Sequence, residues 1–123
     1  MEKILIVDDD ENATLLLESM LRNERYELFA TNESHKVMDL ARGIHPDLII
    51  LDLVMPEPTG FQLCRMLRDD PAFIITPIII VTALGDSDSM VVAYGANADE
   101  YLIKPVLVEK LRATVESLLR NRI

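Results

Sequence analysis

Three short runs of branched apolar residues occur along this chain without any alternation of polar and apolar positions. The runs are Ile4–Val7, Leu48–Leu51 and Ile78–Val81. Continuous apolar runs of this length are typical of β-strands that are covered on both faces, as in a parallel sheet. Two weaker candidates are Tyr26–Ala30 and Glu100–Ile103. The pattern therefore predicts five strands.

The segments between these runs have helical spacing. In the segment from Glu11 to Asn23, we expect one face to carry Ala13, Leu16, Leu17, Met20 and Leu21. A last helix, which we expect to run almost to Ile123, has the corresponding set Leu111, Val115, Leu118 and Leu119. Shorter helices are predicted over Ser34–Ile44, Phe61–Arg68 and Ser87–Ala96. Strand and helix thus alternate five times.

This alternation predicts an α/β fold, a doubly wound five-stranded parallel sheet with five helices on its two faces. In such sheets, ligands bind beyond the carboxyl ends of the strands, where the strand order reverses. A chain of 123 residues is enough for one domain, and we expect residues 1–123 to form it. No internal repeat or low-complexity tract divides it.

Composition excludes several classes of function. Twelve basic and twenty-one acidic residues give a net charge of −9, which repels a polyphosphate backbone, so direct nucleic-acid binding is not expected. No apolar stretch approaches the ~20 residues of a membrane span, and the first residues lack the plan of a signal peptide. The single cysteine, Cys64, excludes an internal disulfide and suits a reducing compartment. We expect a cytoplasmic protein.

Polar residues follow four of the five predicted strands at the point where each ends. They are Asp8 and Asp9 after the first strand, Asp52 after the third, Thr82 after the fourth and Lys104 after the fifth. Nothing comparable follows the second strand, as expected for a strand at the sheet edge. A single aspartate after a strand is usually a helix cap, and a single lysine is usually solvated. The convergence of five such groups is what favours a functional site.

Three clustered carboxylates need a counter-charge, and a hard divalent cation such as Mg²⁺ is the favoured one. Magnesium takes oxygen ligands and commonly shares its site with phosphate oxygens. Phosphoryl transfer then needs a nucleophile and groups that stabilise the developing charge. Asp52, Thr82 and Lys104 could supply these. The residues therefore favour a magnesium-dependent phosphoryl-transfer site.

Four motifs, ILIVDDD, PDLIILDLVMPEPTG, IIIVTA and EYLIKP, occur in an order and spacing that resemble the receiver domain of response regulators in bacterial two-component signalling. The resemblance spans essentially the whole chain. It implies a flavodoxin-like fold, similar to a chemotaxis receiver, with strand order 2-1-3-4-5. It also implies that a histidine kinase, a phosphotransfer protein or a small donor such as acetyl phosphate supplies the phosphoryl group.

The same resemblance implies a role for each site residue. Asp52 would be the phosphoacceptor. Asp9 would bind Mg²⁺ directly and Asp8 through water, while Asp52 and the backbone carbonyl of Val54 would be further ligands. Lys104 would bridge to a phosphoryl oxygen.

The resemblance also implies a conformational switch. Thr82 would move to hydrogen-bond a phosphoryl oxygen, and Tyr101 would swing inward behind it. The peptide bond between Lys104 and Pro105 would be cis, which proline makes accessible. Asn97 stands where the family often has glycine, and asparagine tolerates the left-handed conformation needed there.

The fourth predicted helix, Ser87–Ala96, departs from part of the family. It carries Met90, Val91, Val92 and Tyr94, more apolar side chains than one buried stripe accommodates, and no lysine or arginine. Receivers that dimerise through the fourth helix, fifth strand and fifth helix usually carry basic residues there. We therefore expect an apolar or mixed contact with a downstream effector at the face formed by this helix and the Glu100–Ile103 strand.

Three further positions carry specific expectations. Val54 and Leu84 lie two residues beyond Asp52 and Thr82, where the family's attacking water passes; both are apolar, so self-dephosphorylation should be slow. Asp10 should not join the metal cluster but should begin the first helix, where negative charge is favoured.

Other functions remain open at this stage. A flavodoxin would need a phosphate loop after its first strand, where the carboxylates would repel phosphate, and no GxxxxGK[ST] loop for a nucleotide hydrolase exists. A receiver used only as a non-phosphorylated interaction module is a third alternative, which the retained acidic residues and Lys104 disfavour. The output would come from a protein partner, or from a DNA-binding or enzymatic domain if the receiver is part of a longer protein.

Overall fold

One parallel sheet organises the protein, whose computed structural model describes residues 1–121. Its strands are β1 (Glu2–Val7), β2 (Tyr26–Thr31), β3 (Leu48–Leu51), β4 (Ile78–Thr82) and β5 (Glu100–Ile103). They lie in the order β2-β1-β3-β4-β5, and every neighbouring pair is parallel. The predicted strands and their order are confirmed. The first strand starts two residues earlier than predicted because Glu2 and Lys3 also pair with β2.

Five α-helices connect and follow the strands. They are α1 (Glu11–Leu21), α2 (Val37–Ile44), α3 (Gly60–Asp69), α4 (Ser87–Gly95) and α5 (Val108–Asn121). The helix predicted from Ser34 begins as a 3₁₀ turn over Ser34–Lys36, and α1 ends before Asn23 because Arg22 is extended. The predicted continuation of the last helix toward Ile123 concerns residues 122 and 123, which lie outside the described residues.

Two apolar clusters cover the two faces of the sheet. Leu5 and Val7 belong to the cluster that includes side chains of α2, α3 and α4, whereas Ile4 and Ile6 belong to the cluster with α1 and α5. Successive side chains of a strand point to opposite faces, so both sets of positions must be apolar when both faces are covered. This is why the strand sequences show no alternation.

The buried face of α1 differs from the prediction. The helical spacing assigns Leu16 to the apolar face of this helix, but 55% of its surface is exposed. The buried residues of the helix are Thr14, Leu17 and Leu21. The hydroxyl of Thr14 donates to the Glu11 carbonyl and accepts from the Asn32 side chain, so a polar residue can be buried here with its hydrogen bonds satisfied.

Within residues 1–121, no helix combines the length and the apolar character of a membrane-spanning segment.

Candidate functional site

The backbone brings the ends of β1 and β3 to the same level. Val7 and Leu51 are register partners, and the Asp52 amide donates to the Val7 carbonyl at 3.0 Å. Asp8 and Asp52 therefore leave adjacent strands side by side. Beyond them the chain turns into α1 and into the loop that leads to α3.

Three carboxylates meet at this edge of the sheet. One oxygen from each of Asp8, Asp9 and Asp52 lies within 4.8 Å of the other two. Asp8 and Asp52 are buried, whereas Asp9 is exposed. This set of hard oxygen donors fits a small divalent cation such as Mg²⁺, and the exposed position of Asp9 leaves one side of the cluster open to solvent.

Lys104 supplies a positive charge to the same cluster. Its Nζ lies 2.6 Å from Asp8 Oδ2 and 3.3 Å from Asp52 Oδ2. Burial alone would lower the pKa of the ammonium, but the hydrogen bond to Asp8 and the negative charges of Asp52 and Asp8 outweigh it and raise that pKa. Lys104 thus stays protonated among the carboxylates.

The backbone around Lys104 fixes where its side chain starts. The Lys104 amide donates to the Thr82 carbonyl at 2.8 Å, one position beyond the register pair of Thr82 and Ile103. The peptide bond to Pro105 is cis, as the sequence resemblance implied.

The two buried carboxylates are held differently. Burial raises the pKa of Asp8, and the nearby charge of Asp52 adds to this, while the Lys104 ammonium and the Asp10 amide oppose it. Asp52 accepts from Lys104 on Oδ2 and from the Val54 amide on Oδ1 at 3.3 Å. Asp52 thus has a donor on each carboxylate oxygen.

Gly60, at the start of α3, contributes to the position of Asp52 in a way that the sequence analysis missed. A β-carbon at Gly60 would lie 2.1 Å from the Asp52 carbonyl oxygen and 2.7 Å from the Leu53 α-carbon. Only glycine fits this approach without a backbone shift. The capping box of Thr59 and Gln62 fixes the start of α3 next to Gly60. The Thr-x-x-Gln pattern of this motif is visible in the sequence and indicates where the helix begins.

The two expected switch residues both contact the loop after β4. The Thr82 side chain is fully buried, and its hydroxyl lies 3.5 Å from the Leu84 amide. The Tyr101 hydroxyl donates to the Leu84 carbonyl at 2.6 Å, while its ring lies 6.4 Å from that of Tyr94. Burial raises the pKa of Tyr101, and the negative charges of Asp86 and Asp52 add to the effect. Leu84 is thus held by both residues.

A polar residue does follow β2, contrary to the expectation that nothing comparable would. The Asn32 amide nitrogen donates to the Asp8 carbonyl at 2.9 Å and to the Thr14 hydroxyl at 3.1 Å. Although β2 is an edge strand, its carboxyl end adjoins that of β1, so its next side chain reaches the loop that carries Asp8 and Asp9.

Asp10 stands apart from the cluster of Asp8, Asp9 and Asp52, as predicted. It is the N-cap of α1, and its Oδ1 accepts from the Asn12 amide at 3.0 Å. The left-handed conformation expected at Asn97 is also present, with φ of 69°.

The exposed side of α4 confirms the excess of apolar residues. Ala93 is the buried residue of the helix, whereas Val91, Val92 and Tyr94 are 70%, 43% and 47% exposed. Ile103 on β5 is exposed as well. These four side chains define what we call the α4–β5 face.

Comparison with known families gives one match over most of the chain. The family of the response regulator receiver domain matches residues 4–116. Among curated proteins, the response regulator ArlR of Staphylococcus aureus is 37% identical over 122 residues, which cover 99% of this chain and 54% of that protein. The chain therefore spans about half the length of the curated relatives it matches.

Solved structures agree with this match. A putative response regulator from Chloroflexus aurantiacus superposes with a TM-score of 0.92 at 31% identity, covering 98% of each chain. The chemotaxis protein CheY4 of Vibrio cholerae superposes with a TM-score of 0.89 at 26% identity, covering 96% of this chain and 98% of that one.

Proposed function

This chain belongs to the response regulator receiver domain family, and from that membership we propose that Asp52 accepts a phosphoryl group and thereby switches the α4–β5 face. The observation that carries the proposal is that Asp52 lies 3.3 Å from the Lys104 ammonium and in one cluster with two further carboxylates. The proposal treats residues 1–123 as one receiver domain. Its function in two-component signalling follows from the family.

The transfer step uses the Asp52 carboxylate as the nucleophile. One carboxylate oxygen attacks the phosphorus of a phosphohistidine or of acetyl phosphate, and the bond to the departing imidazole or acetate breaks. The product is an acyl phosphate on Asp52. Asp9, Asp52 and the Val54 carbonyl would hold a Mg²⁺ ion directly and Asp8 would hold it through water; the ion would neutralise charge on the phosphoryl oxygens.

Lys104 prepares the site for the incoming charge. Its ammonium already lies within 3.3 Å of Asp52 Oδ2, so a phosphoryl oxygen attached to Asp52 needs only a small displacement to meet it. The hydrogen bond from the Lys104 amide to the Thr82 carbonyl keeps the lysine at this edge of the sheet. Positioned charge of this kind stabilises the transition state without reorganisation.

The switch step starts from Leu84. We propose that the Thr82 hydroxyl turns from the Leu84 amide toward the phosphoryl group and that Tyr101 then moves inward. This movement would break the 2.6 Å hydrogen bond from Tyr101 to the Leu84 carbonyl. The loop before α4 would lose that restraint, and the α4–β5 face would change shape.

A groove beside the site suits the protein that donates the phosphoryl group. It has a volume of about 420 Å³, and its lining includes Leu16, Leu17, Lys104, Pro105 and Val106. Because Lys104 belongs to both the site and the groove, we propose that the donor protein lies across this groove when it reaches Asp52. In this arrangement, the exposed Leu16 of α1 would make an apolar contact with a histidine kinase or phosphotransfer protein.

Downstream, we propose that the α4–β5 face binds an effector protein or effector domain through apolar contacts. The absence of basic side chains from Ser87 to Ala96 argues against a dimer contact built on ion pairs at this helix. A cytoplasmic location, suggested by the single cysteine, is part of the proposal.

We further propose slow loss of the phosphoryl group by the domain itself. The side chains of Val54 and Leu84 cannot orient a water by hydrogen bonding. Decay of the magnesium-bound phosphoprotein over minutes or longer would agree, whereas a half-life of seconds would contradict this part of the proposal.

The experiment is incubation with Mg²⁺ and acetyl phosphate, followed by mass measurement of the intact protein. We expect one phosphoryl adduct that is absent in Asp52→Ala and absent when EDTA is added. No adduct in the native sequence would instead favour a receiver that acts as a non-phosphorylated interaction module.

A further inference from the structure

Asn32 contacts both the β1–α1 loop, which carries Asp8 and Asp9, and the first turn of helix α1. Its amide nitrogen donates to the Asp8 carbonyl and to the Thr14 hydroxyl, which in turn donates to the Glu11 carbonyl at 3.0 Å. Both amide hydrogens of Asn32 are therefore used. This chain of hydrogen bonds ties the end of β2 to the β1–α1 loop and to the first turn of α1.

The Asp8 carbonyl belongs to the peptide group that leads into Asp9. Restraining that carbonyl restrains the plane of the peptide and, with it, the position of the α-carbon from which the Asp9 side chain leaves the backbone. Within residues 1–121, the Asp9 carboxylate itself has no hydrogen bond or ion pair. Its placement therefore depends on the backbone that carries it.

Asp8 is restrained by other contacts as well. Its Oδ1 accepts from the Asp10 amide at 3.0 Å, and its Oδ2 accepts from Lys104. Its side chain would keep these contacts without Asn32. Without Asn32, however, the Asp8 carbonyl would lose the hydrogen bond that it accepts from the Asn32 amide. Removal of Asn32 should therefore change chiefly the position of Asp9.

We infer that Asn32 is a positioning residue for the cation site and acts through the Asp8–Asp9 peptide rather than by touching the cation. Thr14 takes part by holding the Asn32 amide in place. Groups that orient metal ligands commonly change metal affinity by about tenfold to a hundredfold when they are removed. This inference rests on the proposed Mg²⁺ site. It adds to that site an uncharged residue, which the pattern of charged residues in the sequence does not reveal.

The test is the Mg²⁺ affinity of the full chain, measured by isothermal titration calorimetry without any phosphodonor. We expect Asn32→Ala to weaken binding about tenfold or more. Thr14→Val, which removes the hydroxyl but keeps the shape, should weaken it less, whereas Thr14→Ser should retain the native affinity. Asn23→Ala is the matched control because the Asn23 side chain is also hydrogen-bonded to the backbone, although it accepts from the Arg25 amide in an exposed turn of the chain.

Two further readouts separate positioning from simple destabilisation. In phosphorylation by acetyl phosphate, Asn32→Ala should raise the Mg²⁺ concentration needed for half the maximal rate, while the rate at saturating Mg²⁺ returns to within about twofold of native. The Asn32→Ala and Thr14→Val effects on affinity should be less than additive in the double variant, because the two residues act through one network.

The opposite results would overturn the inference. Native Mg²⁺ affinity in Asn32→Ala, with or without a lower melting temperature, would show that the side chain only supports the fold. Fully additive effects of the two substitutions would separate Thr14 from the network. Failure of the native sequence to bind Mg²⁺ would refute the proposed function instead, so the two failures are distinguishable.

Discussion

Lys104 is bound more closely to Asp8 than to Asp52: its ammonium lies 2.6 Å from Asp8 Oδ2 and 3.3 Å from Asp52 Oδ2. The lysine therefore serves as the counter-charge of the buried acid before any phosphoryl group arrives. A cation in the cluster and Lys104 offset the same negative charge, so their effects are coupled.

This coupling predicts the behaviour of Lys104→Met. Without Mg²⁺, the variant should lose about 2 kcal/mol of unfolding free energy because Asp8 loses a charged hydrogen bond. Added Mg²⁺ should raise its melting temperature more than it raises the native one, because the cation then replaces the missing charge. Thermal unfolding with and without Mg²⁺ checks this. Lys110→Met, on the exposed side of α5, is the control and should show the native Mg²⁺ effect.

Neighbouring aspartates should respond differently to removal. Asp9→Ala should abolish measurable Mg²⁺ binding and phosphorylation because it removes the exposed carboxylate of the cluster. Asp10→Ala should keep both and cost about 1 kcal/mol or less of stability, since it removes an N-cap hydrogen bond. Calorimetric titration and chemical unfolding of the two variants provide the comparison. Equal loss of Mg²⁺ binding in both would contradict the separate roles.

Gly60 and Gly43 offer a matched pair of glycine substitutions. Gly60→Ala should destabilise by about 2 kcal/mol or more, because its β-carbon would lie 2.1 Å from the Asp52 carbonyl oxygen. A β-carbon at Gly43, which lies in α2, would have no atom within 4 Å. Gly43→Ala should therefore raise the free energy of unfolding by about 0.5–1 kcal/mol, because alanine has the higher helix propensity. Urea unfolding measures both. A Gly60→Ala protein of native stability would mean that α3 can move away from Asp52 at little cost.

The α4–β5 face should be needed for association but not for phosphorylation. Val92→Glu and Tyr94→Ala should weaken binding to an effector or to a second copy, while the rate of phosphorylation by acetyl phosphate stays native. Sedimentation and pull-down of the phosphorylated protein measure the association. Ile75→Glu changes an apolar residue that is 76% exposed but lies outside this face, between α3 and β4, and serves as the control. Unchanged association in both α4 variants would show that the α4–β5 face is not the binding surface.

Much of the fold could be predicted because both faces of the sheet are covered. The strand sequences are then continuously apolar, and the polar residues directly after them mark the functional edge. Leu16 was placed wrongly because helical spacing alone cannot show that Thr14 has hydrogen-bond partners for its hydroxyl and can be buried instead.

The site residues that the sequence did not reveal act on backbone groups. Asn32 donates to a carbonyl, and Gly60 leaves room for one. The position of a carbonyl depends on how distant segments pack, which no residue type encodes locally. The carboxylates and Lys104 were recognisable because their charge is carried by the side chains themselves.

Chemical trapping shows directly whether Asp52 is the phosphoacceptor. After incubation with Mg²⁺ and acetyl phosphate, borohydride reduction should convert a phosphorylated aspartate to homoserine. The tryptic peptide spanning 43–65 contains Asp47, Asp52 and Glu57, so tandem mass spectrometry can distinguish them. We predict homoserine at position 52 and an unmodified peptide without acetyl phosphate. Modification at position 47 or 57, or none within this peptide, would contradict the account.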